Sequence, residues 1–225
     1  MVKYQIRINC FYLNQKWKDE LSSMSLSATI SNLENGKHQH IVVYGTSLTE
    51  GGAWVSGLKE ILDRRFPGQV KLTNSAKAAQ WSGWGLENLE ERVIAFAPDA
   101  VFLEFAINDS YLPYQTSVTK SGENLNALID RIHAANKNCE ILLMTMNPPV
   151  REHLEIRPLI EQYYQMYRET ARKRGLLLID HYPVWRRMLD ENPTEFDRLI
   201  PDGIHPSDEG STKITLAELV KSWLS

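Results

Sequence analysis

From about residue 39 onward, apolar residues follow two alternating rhythms. One is a short continuous run; the other is a recurrence every three or four positions. The runs are Ile41-Val42-Val43-Tyr44, Val70-Lys71-Leu72-Thr73, Ala100 to Phe105, Glu140 to Met144, and Leu176 to Ile179. Runs this short, rich in β-branched and aromatic residues, predict buried strands. Between them the period changes to that of a helix. Val55, Leu58, Ile61, Leu62 and Phe66 share one face of a helix from Trp54 to Phe66, stopped by Pro67-Gly68. A second helix is expected over Leu86–Ala97, ended by Pro98, and a third around Leu125, Leu128, Ile129 and Ile132. A long fourth helix runs from Ile156 to Ala171 and closes at Gly175. The last starts near Asp208, capped by Ser207, and reaches Trp223. Strands alternating with amphipathic helices predict an α/β fold: a three-layer α/β/α domain around a five-stranded parallel, flavodoxin-like sheet.

The first 37 residues do not share this rhythm. Val2 to Ile8 alternates apolar and polar, as a strand does, and Asn35-Gly36 marks a turn. The expected division is an N-terminal extension at 1–37, a hairpin laid on the main domain at 38–225.

Composition adds mainly exclusions. The chain has 225 residues, 43% of them hydrophobic, and a formal net charge of −3. That suits one domain with a sizeable core, and no Lys/Arg-rich run marks a nucleic-acid surface. No stretch approaches the length of a membrane span, and residues 1–20 lack the apolar core of a signal peptide, so a cytoplasmic protein is expected. Nothing in the pattern specifies an oligomeric state. Cys10 and Cys139 are far apart and read as buried thiols. His38 and His40 read as a strand entry rather than a metal pair; no metal and no cofactor is expected.

In open α/β sheets, ligands bind beyond the carboxyl ends of the strands. The segments there are Gly45-Thr46-Ser47-Leu48, Asn74 to Ala79, Ala106-Ile107-Asn108-Asp109, Asn147-Pro148-Pro149, and Asp202-Gly203-Ile204-His205 near the C-terminus. A serine between a strand and a helix exposes its hydroxyl close to backbone N–H groups. It becomes a nucleophile when a neutral imidazole takes its proton. A carboxylate three residues from that histidine can hold the ring in the right tautomer. An Asn side chain adds a donor for a developing oxyanion. Trp54, Trp81, Tyr111 and Arg151, with Ile204 beside the histidine, are the candidates for substrate contact around this edge. Glu104 and Asp109 could form a carboxylate pair, but Glu104 lies within a strand and Asp109 reads as a support for the loop that aims Asn108.

These segments, in this order, resemble the motif blocks of the SGNH (GDSL) hydrolases. Gly45-Thr46-Ser47-Leu48 resembles the Gly-Asp-Ser-Leu block, Ala106-Ile107-Asn108-Asp109 the Gly-x-Asn-Asp block, and Asp202-x-x-His205 the closing block. Asn74-x-Ala-x-x-Ala79 takes the place of Asn-x-Gly-x-x-Gly. The resemblance implies a serine esterase acting on a small-molecule ester. Ser47 would be the nucleophile, His205 the base and Asp202 its orienting acid. The oxyanion hole would be formed by the N–H groups of Ser47 and Ala79 and the side chain of Asn108.

Three positions depart from the family pattern. Thr46 stands for Asp, Ala106 for Gly, and Ala79 for a Gly whose backbone would favour positive φ. Gly83 or Gly85 is the alternative source of that second N–H. A short acyl group is expected, because no long apolar lid segment is visible; the tryptophans point to a carbohydrate acetate. The rivals are an acyltransferase using the same residues and a non-catalytic carbohydrate- or lipid-binding domain on the same scaffold.

Overall fold

The structure, a computed structural model, describes residues 27–224. Five strands form one parallel sheet: β1 (Gln39–Gly45), β2 (Val70–Asn74), β3 (Ala100–Glu104), β4 (Glu140–Thr145) and β5 (Leu177–Asp180), in the order β2-β1-β3-β4-β5. Register pairs Val43 with Asn74 and Phe102, and Phe102 with Leu142. Every residue of β3 is buried, whereas the edge strands β2 and β5 are only partly so. A sheet covered on both faces needs its central strands apolar throughout, which is why these runs are continuous rather than alternating.

The main helices are α1 (Ala28–Glu34), α2 (Ala53–Arg65), α3 (Val118–Ala135), α4 (Ile160–Arg174), α5 (Tyr182–Glu191) and α6 (Pro193–Leu199), before a terminal helical segment. That segment opens at Asp208–Gly210, widens to a π-helix over Ser211–Leu216 and ends in Ala217–Trp223. Its cap is Ser207, whose hydroxyl accepts from Gly210 N–H. α2 packs with the terminal segment, where Gly57 leaves room for Leu216. α3 packs with α4, where Gly122 lies against Met166. Between the layers, Phe102 meets Trp54 and, edge-on at 5.0 Å, Trp223.

Three sequence expectations change. Leu86–Ala97 is not one helix but three short pieces, Ser82–Glu87, Leu89–Arg92 and the 3₁₀ turn Ile94–Phe96. Asn88 sits at the first junction at φ −103°, ψ 6°, outside ordinary helical values, and its side-chain amide joins its own N–H on the Trp84 carbonyl. Ala97 ends the last piece in the left-handed region. The long helix starts at Ile160, not Ile156, because Pro158 disfavours helical backbone in the residue before it. Helices α5 and α6 were not expected; they enclose a second apolar cluster of Trp185, Phe196, Leu199 and Ile200.

The alternation at Val2–Ile8 and Cys10 lie outside the described residues. Within the rest of the 1–37 stretch, α1 buries Ile30 and Leu33 in the main core. Ser27 accepts from Trp223 Nε1 and donates to Glu140, tying this segment to the C-terminal end of the chain. Gly36 makes the expected turn at φ 76°. Cys139 is buried, and burial pushes its thiol up to about 12. Among the described residues, no helix is long and apolar enough to cross a membrane.

Candidate active site

Strand order reverses its direction of growth between β1 and β3, the place where such sheets open a crevice at their carboxyl ends. Ser47 leaves β1 there, and Asn108 leaves β3. Thr46 caps the single helical turn Ser47–Glu50, its hydroxyl oxygen accepting from Leu48 N–H. Beneath it, one oxygen of Glu104, Oε2, accepts from Thr46 N–H (3.1 Å), Thr46 Oγ1 (2.8 Å) and Thr49 Oγ1 (3.2 Å). Thr46 thus keeps a hydrogen-bonding role where the resemblance has an Asp. Burial pushes the Glu104 carboxyl up to about 7 against those three donors. Trp54 braces the same turn by donating its Nε1 to the Leu48 carbonyl.

His205 arrives from the far end of the chain. Its Nε2 lies 2.9 Å from Ser47 Oγ and its Nδ1 lies 2.6 Å from Asp202 Oδ2. With Nδ1 protonated and bound to the carboxylate, Nε2 is left as an acceptor for the serine proton. Asp202 Oδ1 also accepts from the N–H groups of Ile204 and His205. Burial raises the Asp202 carboxyl, but these N–H groups and the imidazole outweigh it and hold the group below its ordinary value.

The loop carrying this pair is fastened to the segment after β4. Asn147 Nδ2 donates to Ile204 O, and Val150 N–H donates to Gly203 O. Arg151 donates to the carbonyls of Pro201 and Ile200 and pairs with Asp197. Gly203 takes φ 90°, and a Cβ there would come within 3.2 Å of Arg151. Its identity follows from both constraints.

On the other side of Ser47, the Asn74–Ala79 loop is stitched in place. Asn74 Nδ2 donates to Thr49 O, and Glu50 Oε2 accepts from Ala78 N–H. Ala79 has φ 54°, a region that costs a non-glycine residue roughly 1–2 kcal/mol. Its N–H meets no acceptor among the described residues. Gly83 and Gly85 lie inside the Ser82–Glu87 helix. Asn108 Nδ2 donates to Gln80 O at 2.9 Å, and an amide has a second N–H to give. Asp109, as expected, holds its surroundings: it accepts from Ser82 N–H and from Ser121 Oγ.

A cavity of about 290 Å³ opens beside Ser47 and His205, walled by Leu48, Met146, Pro206 and Thr215. It is small for a ligand pocket. Of the expected substrate contacts, Trp81 and Tyr111 are half-buried and gather around Tyr114. Trp54 is buried from solvent and lines this cavity, and Ile204 is buried with its backbone committed to Asp202 and Asn147. Arg151 is exposed and fastens the loop, with polar contacts to Asp197 and to the chain just before Asp202. Sequence reasoning passed over Glu104 and Asn147 as site supports. The signal for Glu104 was a carboxylate inside an otherwise apolar strand. Among the described residues, no group of three or more His, Cys, Asp or Glu side chains is placed to hold a metal ion.

A parallel five-stranded α/β/α sheet with a serine turn at its switch point is one architecture of the carboxylic ester hydrolase class. Within it, this chain belongs to the GDSL-like lipase/acylhydrolase family, whose model matches residues 43–213. Solved structures agree in fold. An acetylxylan esterase from Geobacillus stearothermophilus is 21% identical with a TM-score of 0.72, over 83% of this chain and 94% of that one. A lipase/acylhydrolase from Enterococcus faecalis is 23% identical with a TM-score of 0.69, over 81% and 94%. An α/β hydrolase from the metagenome of Lake Arreo is 22% identical with a TM-score of 0.70, over 83% and 95%. No match to a curated protein sequence accompanies these.

Proposed function

We propose that this hydrolase cleaves short-chain acyl esters through a Ser47–His205–Asp202 triad and an acyl-enzyme. The observation that carries the reading is the unbroken relay from Ser47 Oγ to His205 Nε2 at 2.9 Å and from His205 Nδ1 to Asp202 Oδ2 at 2.6 Å. Ser47 Oγ bonds to the acyl carbon as its proton passes to Nε2. The resulting imidazolium is balanced by Asp202, and the same proton then goes to the leaving alcohol. Water, deprotonated by His205 in its turn, bonds to the acyl carbon; the bond to Ser47 Oγ breaks, His205 returns the proton to Oγ, and the acid is released. The N–H groups of Ser47 and Ala79 and the second N–H of Asn108 Nδ2 serve the oxyanion of each tetrahedral intermediate. The small cavity supports an acetyl-sized acyl group.

The likeness to an acetylxylan esterase supports an acetylated carbohydrate as the alcohol half. A cleft over Gly51 and Gly52 continues from the cavity toward Lys59 and Asp208, and gives room for a hydroxylated leaving group. The test is hydrolysis of p-nitrophenyl acetate and of acetylated sugars by wild type and Ser47→Ala, with organophosphonate labelling. Wild type turns over and is labelled once, at Ser47, and Ser47→Ala does neither. Equal rates in the two proteins, or labelling of another serine, would sink the mechanism. Added alcohol should not divert the acyl group; diversion would identify an acyltransferase.

A further inference from the structure

Ala79 is one of four non-glycine residues at positive φ among the described residues. Its methyl group disfavours that conformation, and it has no polar side chain to compensate. Neighbouring contacts fix the ends of the loop: Lys77 N–H donates to Gly45 O and Asn108 Nδ2 to Gln80 O. Among the described residues, a single side chain hydrogen-bonds to Ala79 itself. Tyr114 donates its hydroxyl to the Ala79 carbonyl at 2.8 Å.

That phenol is itself held. Its ring stacks on Trp81 at 4.8 Å and 28°, and Tyr111 meets it edge-on at 5.1 Å. The Arg157 guanidinium in turn covers Tyr111 at 4.8 Å. The aromatic group at the mouth of the site therefore ends in one hydrogen bond on one strained residue.

We propose that Tyr114 is a positioning residue whose hydroxyl holds Ala79 in the left-handed conformation and so keeps the Ala79 N–H directed at the oxyanion. The proposal rests on the serine-esterase reading above. Glycine enters this region without the Cβ penalty, so a glycine at 79 would not need the hold. Here Ala79 does, and Tyr114 supplies it.

The experiment is a double-mutant cycle between Tyr114→Phe and Ala79→Gly, read as kcat and KM on p-nitrophenyl acetate. Phenylalanine keeps both ring contacts and removes only the hydroxyl. Tyr114→Phe is expected to lower kcat about tenfold with KM unchanged, a fraction of the loss seen when an oxyanion donor is deleted outright. In the Ala79→Gly background the same substitution is expected to cost less than about threefold. Equal losses in both backgrounds, a loss carried by KM, or no loss at all overturns the proposal; the first two are what a phenol touching substrate would give. If Tyr114→Phe alone fails to fold, folding of the double variant supports the proposal and failure of both overturns it. Full activity in Ser47→Ala would be a different failure, that of the serine mechanism itself.

Discussion

Asp202 and Glu104 are carboxyls driven in opposite directions by their surroundings. Asp202 is held below its ordinary value because three N–H groups converge on it and outweigh its partial desolvation. Asp202→Asn removes the acceptor that fixes the His205 tautomer, so kcat should fall roughly 10²–10⁴-fold with little change in KM, measured by steady-state kinetics. Glu104 is pushed by burial from 4.5 to about 7, and His181, buried beyond β5, from 6.5 to about 3. The raised Glu104 carboxyl favours the fold below pH 4.5, and that advantage is lost as pH rises to about 7. The depressed His181 works the other way: its contribution is full above 6.5 and is lost as pH falls toward 3. Between about 4.5 and 6.5 the two slopes oppose each other. Glu104→Gln removes one of them. The stability of the variant relative to wild type should therefore climb between pH 4.5 and 7, by an amount on the order of a few kcal/mol in denaturant titrations. A constant difference across that range would contradict the assignment. Ser47, His205 and Asp202, which the structure brings into hydrogen-bond contact, stand out in the sequence by their loop positions and motif blocks. Glu104 and Tyr114 were not, because their importance lies in which backbone groups they reach across the fold.

At the scale of elements, close approach decides which glycines matter. A Cβ on Gly45 would lie 2.5 Å from the Glu104 carbonyl oxygen on the neighbouring strand, whereas one on Gly51 would have its nearest contact at 3.7 Å. Gly45→Ala should cost more than about 2 kcal/mol in chemical denaturation, because backbone cannot step aside. Gly51→Ala should stay within about 0.5 kcal/mol of wild type. The strands and α2 follow their hydrophobic periods closely, since burial on both faces or on one stripe leaves a plain imprint. The segment after β2 does not: a period of three to four spans Leu86–Ala97, but Asn88 and Val93 interrupt it for local backbone reasons that periodicity ignores. Helices α5 and α6 did leave a signal. Pro183 and Pro193 sit at helix starts, and Asn192 caps the second by accepting from Glu195 N–H. Their apolar residues serve a separate small cluster, and short amphipathic pieces of that kind are easily read as loop.

Across the whole molecule, the sheet order places the serine turn, the Ala79 loop and Asn108 around one crevice, and the terminal loop closes it. Trp54 and Ile204 sit at that edge in sequence and are closed off from solvent in space, Trp54 in the wall of the cavity, which only tertiary packing decides. The opposite edge of the sheet is closed by the first and last described elements: α1 lies on the core and Ser27 meets Glu140 and Trp223. Leu33, 1% exposed, should therefore behave as a core residue, and Leu33→Ala should cost about 2–5 kcal/mol by thermal or urea unfolding. A change under about 0.5 kcal/mol would show α1 to be a loose appendage instead. Because acid and base ride on the same four-residue bend, their mutual alignment travels with them whenever that bend shifts. Under the proposed mechanism, warming, pressure or a remote substitution disables turnover through a single separation, the one across which the alcohol oxygen faces the imidazole, and catalysis is expected to fail abruptly rather than piecemeal as that gap widens.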